Sequence, residues 1–250
     1  MRKPATIAAS RSKGFWETAR TLVYAVAIAL AVRTFLYEPF NIPSGSMKPT
    51  LLIGDYLFVS KFAYGYSRHS LPFSLPLIEG RIFAALPERG DVAVFKLPSD
   101  DRTDYIKRIV GLPGDRLQVR DGILYVNGER VERTRIENFR DDDGSSNGEL
   151  AQYRETLPGG PSYTVLDIVQ RGSLDNTDVY VVPEGHVFAM GDNRDNSLDS
   201  RVPNVGFIPV ENLIGRAEII FFSTNGSARV WEVWKWPLAI RFRRLFHLIE

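Results

Sequence analysis

Two side chains in this sequence could together make an acyl-transfer catalyst. Ser46 lies in the short stretch Ile42-Pro43-Ser44-Gly45-Ser46-Met47, and Lys107 lies in the later apolar run YIKRIV. A serine hydroxyl is a weak nucleophile until a base takes its proton. Of the three histidines, His69, His186 and His247, none stands in a setting suited to that task. A neutral lysine can replace histidine, as in serine–lysine variants of the catalytic triad. Around Lys107 stand Val94, Phe95, Tyr105, Ile106, Ile109 and Val110. If the ammonium faces them, desolvation lowers its pKa. Moving it from about 10.4 to about 8 costs roughly 3 kcal/mol and raises the neutral fraction several hundredfold.

A third segment, GDNRDNSLDSR from Gly191 to Arg201, sets short polar side chains directly after an apolar run. Such a loop can be simply solvated, with local ion pairs, or it can be a hydrogen-bonded shell behind a buried lysine. Ser-Gly-Ser after a proline marks a turn by itself, and a lone strand lysine normally points to water. Only the three segments together point to catalysis.

The elements that must position them begin with an apolar helix. TLVYAVAIALAV, from Thr21 to Val32, carries no charge. Its twelve residues reach only about 18 Å, but Phe15 to Tyr37 gives about 34 Å, enough for a hydrocarbon layer of roughly 30 Å. Phe15, Trp16, Tyr37 and Phe40 would be interfacial anchors, and Pro39 would stop the helix. A cleaved secretory signal has the same layout, but the Ala-x-Ala exit is missing; a buried core helix would also fit the twelve apolar residues. An uncleaved anchor is the preferred reading. Arg2, Lys3, Arg11, Lys13 and Arg20 precede the span, which places the N-terminus in the cytoplasm and the body across the membrane. Ser46 is then seven residues past Pro39, at most about 24 Å along the chain.

The body reads as mainly β. Strands are expected at Tyr56–Lys61, Asp91–Lys96, Tyr105–Val110, Tyr163–Val169, Val179–Val182, His186–Met190 and Leu213–Phe222. Between Arg116 and Glu132, Asp121-Gly122 and Asn127-Gly128 suit two-residue hairpin turns. The loop Phe62–Glu88 carries Leu71, Phe73, Leu75 and Leu77, which suit lipid, a groove or packing under the sheet. The organisation expected is a cytoplasmic tail over 1–14, an anchor over 15–38 and a catalytic body over 39–137 and 178–230. An excursion or small subdomain occupies 138–177, and a tryptophan-rich tail 231–250. In that tail Arg241, Arg243, Arg244 and His247 alternate with apolar residues, as in an interfacial helix or one packed on the body. The aspartates at 141 to 143 lack the spacing of a calcium loop and read as a solvated turn. A net charge of +1 gives no footprint for nucleic acid, and the absence of cysteine removes disulfides and thiolate metal sites. No metal or cofactor is expected.

At three stretches the chain resembles bacterial type I signal peptidase, a membrane-bound serine–lysine endopeptidase. They are PSGSMKPTLLIGD from Pro43, RGDVAVFK with DYIKRIVGLPGD from Arg89 and Asp104, and GDNRDNSLDSR from Gly191. The resemblance implies an antiparallel-sheet catalytic body with Ser46 as nucleophile and Lys107 as general base. It implies that Ser197 orients the lysine and that Ser44, with the Ser46 N–H, stabilises the oxyanion. Asp199, Arg201, Asp192, Arg194 and Arg108 would form the ion-paired shell. Phe40, Ile42, Met47, Leu51, Val94, Tyr105 and Ile106 would wall two shallow pockets for small side chains. It implies signal-peptide-bearing preproteins as substrates, cut after small residues of the Ala-x-Ala type, with the lipid bilayer and a secretion translocon as neighbours. The setting implied is the bacterial inner membrane, single-pass, with the catalytic body on its periplasmic or outer face. Two rivals stay open: a sister peptidase with a narrower client set, and a noncatalytic tethered β protein that binds peptides by strand addition.

Overall fold

The computed structural model describes residues 8–140, 148–229 and 231–249, with side chains described from Phe15 onward. An α-helix runs from Ala8 to Phe35. Its Phe15–Phe35 segment is long and apolar enough to cross a membrane. Leu22, Val23, Tyr24, Val26, Ile28 and Leu30 are all exposed, and the body covers the helix only at its last turn, where Thr34 is buried. The helix stops at Phe35, short of the expected Tyr37, and Pro39 is not what ends it. Pro39 instead sits in a strand, Tyr37–Asn41, opposite Phe58. That strand is the edge of its sheet, where a missing N–H costs no ladder bond.

The main sheet is antiparallel. Its order is Tyr37–Asn41, Asp55–Ser60, Leu213–Ser223, Val92–Lys96, Asp104–Gly111, His186–Met190 and Ile208–Pro209. One face buries Ile42, Met47, Leu51, Leu57, Val59, Val94 and Ile220 together. The other buries Tyr64, Phe95, Ile109, Val187, Ile208 and Leu213. The two expected hairpin turns form, with positive φ at Asp121, Gly122, Asn127 and Gly128, as two-residue turns of this hand require.

Residue 138 falls inside a region of smaller sheets. The chain leaves the main sheet at Arg116, into a four-stranded sheet over Arg116–Arg130 completed by Tyr180–Val181. A three-stranded sheet of Glu132–Arg135, Gln152–Thr156 and Ser162–Leu166 follows. Val110, Leu117, Val119, Val131, Tyr163, Val165, Phe188 and Met190 share one apolar cluster across both regions. The apolar core is continuous between the two regions. The aspartates at 141 to 143 lie outside the described residues.

The tail also departs from expectation. Only Trp236–Ala239 is α-helical, and His247–Leu248 adds a strand to Leu213–Ser223. The reason is that two of its arginines find partners inside the protein. Arg241 donates to the carbonyls of Ile53 and Thr224, both at 2.9 Å. Arg244 donates to both oxygens of the fully buried Asp55 and to Thr50 O at 2.8 Å. Trp231, Trp234, Phe242 and Phe246 stay exposed, as do Phe73, Leu77 and Phe83 in the 62–88 region.

Arg244→Leu should therefore strand the Asp55 carboxylate. Removing one partner of a buried pair costs about 3 to 5 kcal/mol; the partly exposed Arg244 and the Leu52 and Ser223 donors that remain reduce this to roughly 2. Denaturant titration in detergent should show that loss, with Arg243→Leu, at an exposed position, within about 0.5 kcal/mol of the parent.

Candidate active site

Ser46 lies in the turn that follows the edge strand. The turn is held from both ends. Ile42 N–H donates to Asp55 O at 2.9 Å, and Leu51 N–H to Met47 O at 2.9 Å. From the other side Asn193 N–H donates to Ser46 O at 3.0 Å, and Asn193 Nδ2 to Gly45 O at 3.0 Å. Residues 45 and 46 are thus clamped by the 191–201 loop, which the sequence places far away.

Lys107 comes from the Asp104–Gly111 strand, opposite Ala93. Its Nζ donates to Ser46 Oγ at 2.8 Å and to Ile106 O at 2.9 Å, and lies 5.2 Å from the centre of the Tyr105 ring. Lys107 is 4% exposed and Ser46 8%. Burial pushes the Lys107 ammonium down to about 8, against the opposing pull of Asp199 and Asp192. The pair that the sequence singled out is brought together, buried and with the amine's basicity tuned toward neutral pH.

Each of these acids, Asp192 and Asp199, already holds an arginine. Arg108 Nε and Nη2 grip Asp192 at 2.9 and 2.8 Å, and its Nη1 donates to Gly90 O at 2.7 Å. Arg201 grips Asp199 at 2.9 and 2.8 Å. Burial alone would raise Asp199, but Arg201 and the Gly191 N–H hold it below the usual carboxylate range. Arg194 pairs with Glu155 and reaches Tyr163 Oη at 3.3 Å. The Arg108 guanidinium lies 4.2 Å over the Tyr163 ring. All of these charges are buried.

Glu155, Tyr163 and Thr50, whose Oγ1 donates to Asp192 at 2.5 Å, were not foreseen. A signal for Glu155 existed: Tyr153 and Glu155 share one face of the Gln152–Thr156 strand, and Leu157 follows it in the same alternation.

Ser44 Oγ lies 3.4 Å from Ser46 Oγ. Ser197 lines the same cleft; its buried Oγ bonds to neither Ser46 nor Lys107 among the described residues and acts on Asp199, whose carboxyl it helps to hold low. The cleft is about 880 Å³ and bordered by Phe40, Ile42, Val94, Tyr105 and Ile106. Met47 and Leu51 do not border it. Both are 0% exposed in the core behind Ile42, because the turn at Ser46 points its next apolar residue inward. Asp167, Asp175 and Asp195 bring carboxylate oxygens within 4.8 Å of one another. Those groups are engaged: Asp195 accepts from Ile168 and Val169, Asp175 from Gly172, and Asp167 pairs with Arg133. They close loops, and no cation site is assigned to them.

A mainly antiparallel body with a buried serine–lysine contact and an N-terminal apolar helix suits a hydrolase anchored at a membrane. The family described as signal peptidase, peptidase S26, matches residues 15–222. Signal peptidase I of Rickettsia akari (strain Hartford) is 46% identical over 210 residues, 81% of this chain and 77% of that protein. Signal peptidase I of Rickettsia canadensis (strain McKiel) is 46% identical over 214 residues, covering 82% and 79%. A crystal structure of a signal peptidase I from Enterococcus faecalis V583 aligns at 27% identity and a TM-score of 0.31, over 53% of this chain and 97% of that one. The chain belongs to the signal peptidase, peptidase S26, family, and is a serine endopeptidase.

One backbone position tests the clamp. A Cβ on Gly191 would lie 2.2 Å from Ser197 Oγ and 2.6 Å from Ser46 O. Gly191→Ala should displace both. Misplacement of about 1 Å can cost about 100-fold, so kcat should fall by roughly that factor while circular dichroism stays that of the parent.

Proposed function

We propose that the protein removes signal peptides from exported preproteins, with Ser46 as nucleophile and Lys107 as general base. The 2.8 Å contact between Lys107 Nζ and Ser46 Oγ carries the reading. With the amine neutral, the Ser46 O–H donates to Nζ, and Oγ attacks the scissile carbonyl as the proton passes to Lys107. Lys107 then protonates the leaving amine. A water deprotonated by the same amine hydrolyses the acyl-enzyme. Ser44 Oγ and the Ser46 N–H are the donors assigned to the oxyanion; such donors supply several kcal/mol when aimed at developing charge. Ser197 borders the same cleft as Lys107, and we assign it to orienting the amine during turnover.

The substrate lies extended between two strand edges. Tyr37–Asn41 is an edge strand, and Asp104–Gly111 meets His186–Met190 only from Arg108 onward. Both free edges border the cleft through Phe40–Ile42 and Asp104–Lys107, which suits recognition by strand addition. Phe40, Ile42, Val94, Tyr105 and Ile106 leave shallow room, so small residues are preferred one and three positions before the cut. Met47 and Leu51 support this wall from behind. The helix crosses the inner membrane with the N-terminus cytoplasmic and the body on the periplasmic or outer face, near the secretion translocon that delivers the substrate. The exposed aromatic residues of the 62–88 and 231–248 regions face the bilayer.

Purified enzyme incubated with a preprotein, and sequencing of the new N-terminus, tests the activity directly. Ser46→Ala and Lys107→Ala should each abolish turnover without loss of fold. Ser44→Ala and Ser197→Ala should lose about 1 to 4 kcal/mol of barrier stabilisation. The base must be neutral, so the rate should rise with pH to a plateau through a midpoint near 8. Normal turnover by either dyad variant would refute the assignment.

Specificity is tested on the substrate. Each methylene that a packed pocket cannot hold costs about 1 to 3 kcal/mol, so phenylalanine at either small-residue position should end cleavage at that bond. Unchanged efficiency would contradict the pocket assignment while leaving the dyad standing.

A further inference from the structure

The junction between helix and sheet is built far more firmly than a tether requires. Only Leu36 separates the helix, ending at Phe35, from the strand that begins at Tyr37. Leu36 O accepts the Lys61 N–H at 2.9 Å, and Phe35 O accepts the Tyr66 hydroxyl at 2.8 Å. The Phe35 and Tyr66 rings meet edge to face at 5.9 Å, and Tyr37 and Phe62 at 5.6 Å. Between these contacts sits Glu38. One of its oxygens accepts from Arg33 Nε and Nη2 at 3.0 and 2.7 Å, and the other from Lys61 Nζ at 2.9 Å.

Lys61 is only 3% exposed, and the chemistry gives it no task. Removing an ammonium from water is costly unless its partner is well placed. Glu38 stays ionised to meet it: burial would raise the acid, but Lys61 and Arg33 hold it below its ordinary value. From this joint the path to the reactive serine has no slack. Tyr37 to Asn41 pair residue by residue with Ser60 to Tyr56, and Ile42 is fixed to Asp55. Ser46 follows four residues later in the clamped turn.

We propose that the Arg33–Glu38–Lys61 joint holds Ser46 at one height above the bilayer, and thereby selects which bond of a membrane-held substrate is cut. Glu38 and Lys61 are positioning residues that act on specificity through geometry. The proposal rests on the spanning helix and the Ser46 nucleophile of the proposed function. It adds that distance from the membrane is read by the enzyme's own anchor, alongside the small-residue pockets.

The experiment uses the full chain in liposomes and a preprotein series. In that series a glycine–serine spacer of graded length separates the apolar segment from one small-x-small motif. Mass spectrometry of the new N-termini gives cleavage as a function of spacer. A short soluble peptide in detergent reports the chemistry alone. Two variants loosen the joint: Glu38→Gln combined with Lys61→Met, and a Gly-Ser-Gly insertion between Leu36 and Tyr37. The parent should show one narrow spacer optimum, with yields falling about tenfold on either side. Both variants should flatten that fall to within about threefold, while peptide turnover stays within about twofold of the parent. An unchanged spacer profile in the variants, or a flat one in the parent, would overturn the proposal. So would a parallel loss of peptide and preprotein cleavage, which assigns the joint to fold stability. A parent that cleaves neither substrate would instead refute the proposed function.

Discussion

One constraint governs this molecule: the Lys107 amine must be kept away from water and from any free carboxylate. Bringing an ammonium from its ordinary pKa near 10.4 down to about 8 costs roughly 3 kcal/mol of stability at neutral pH. The sign follows from proton binding. Between pH 8 and 10 the unfolded chain holds more protons at this site than the native one, so stability is regained as pH rises. The native sheet bears that cost through the packing of Val94, Ile106 and Tyr105 around the cleft. A lysine that only stabilised the fold would gain more by pairing with Asp199 or Asp192, both of which act on it.

The three buried arginines explain why it does not pair. Arg108, Arg194 and Arg201 each hold a buried acid, Asp192, Glu155 and Asp199. The charges cancel locally, and the carboxylate lone pairs are spent on guanidinium and backbone donors. Isolated buried pairs contribute little net stability; here their use is to present neutral, rigid walls to a neighbouring amine. Loss of Arg201 would leave Asp199 free to attract Lys107 and pin it as ammonium. The same network carries the clamp on the serine turn, because Asn193 and Gly191 lie on the loop that these pairs hold in place.

Much of this was legible in the residues, for reasons that differ by element. The burial of Lys107 was legible because an apolar run around a lysine is a local feature, and the hairpins because Asp-Gly and Asn-Gly dictate a turn. Asp192, Arg194, Asp199 and Arg201 stood out because they crowd one loop. The arginine partners of Glu155 and Tyr163 were hidden, since Arg194 lies on a distant loop and Arg108 on another sheet, and such pairings leave no spacing rule. Met47 and Leu51 resemble pocket walls in sequence; only the direction of the Ser46 turn sends them into the core. Pro39 reads as a helix stop, and an edge strand accommodates it instead. The tail's alternating arginines mimic an interfacial helix because the buried acceptors at Asp55, Ile53 and Thr224 cannot be seen from the tail itself.

The central claim is that burial brings the Lys107 amine down to a midpoint near 8, so that a substantial neutral fraction exists close to neutral pH. Heteronuclear NMR of the protein carrying isotope-labelled lysine, in detergent micelles, reads this directly. The Lys107→Met variant identifies the resonance. The account predicts one lysine signal that titrates with a midpoint near 8 and is missing from the variant. A Lys107 signal that remains that of an ammonium up to about pH 10, the ordinary lysine range, would contradict it.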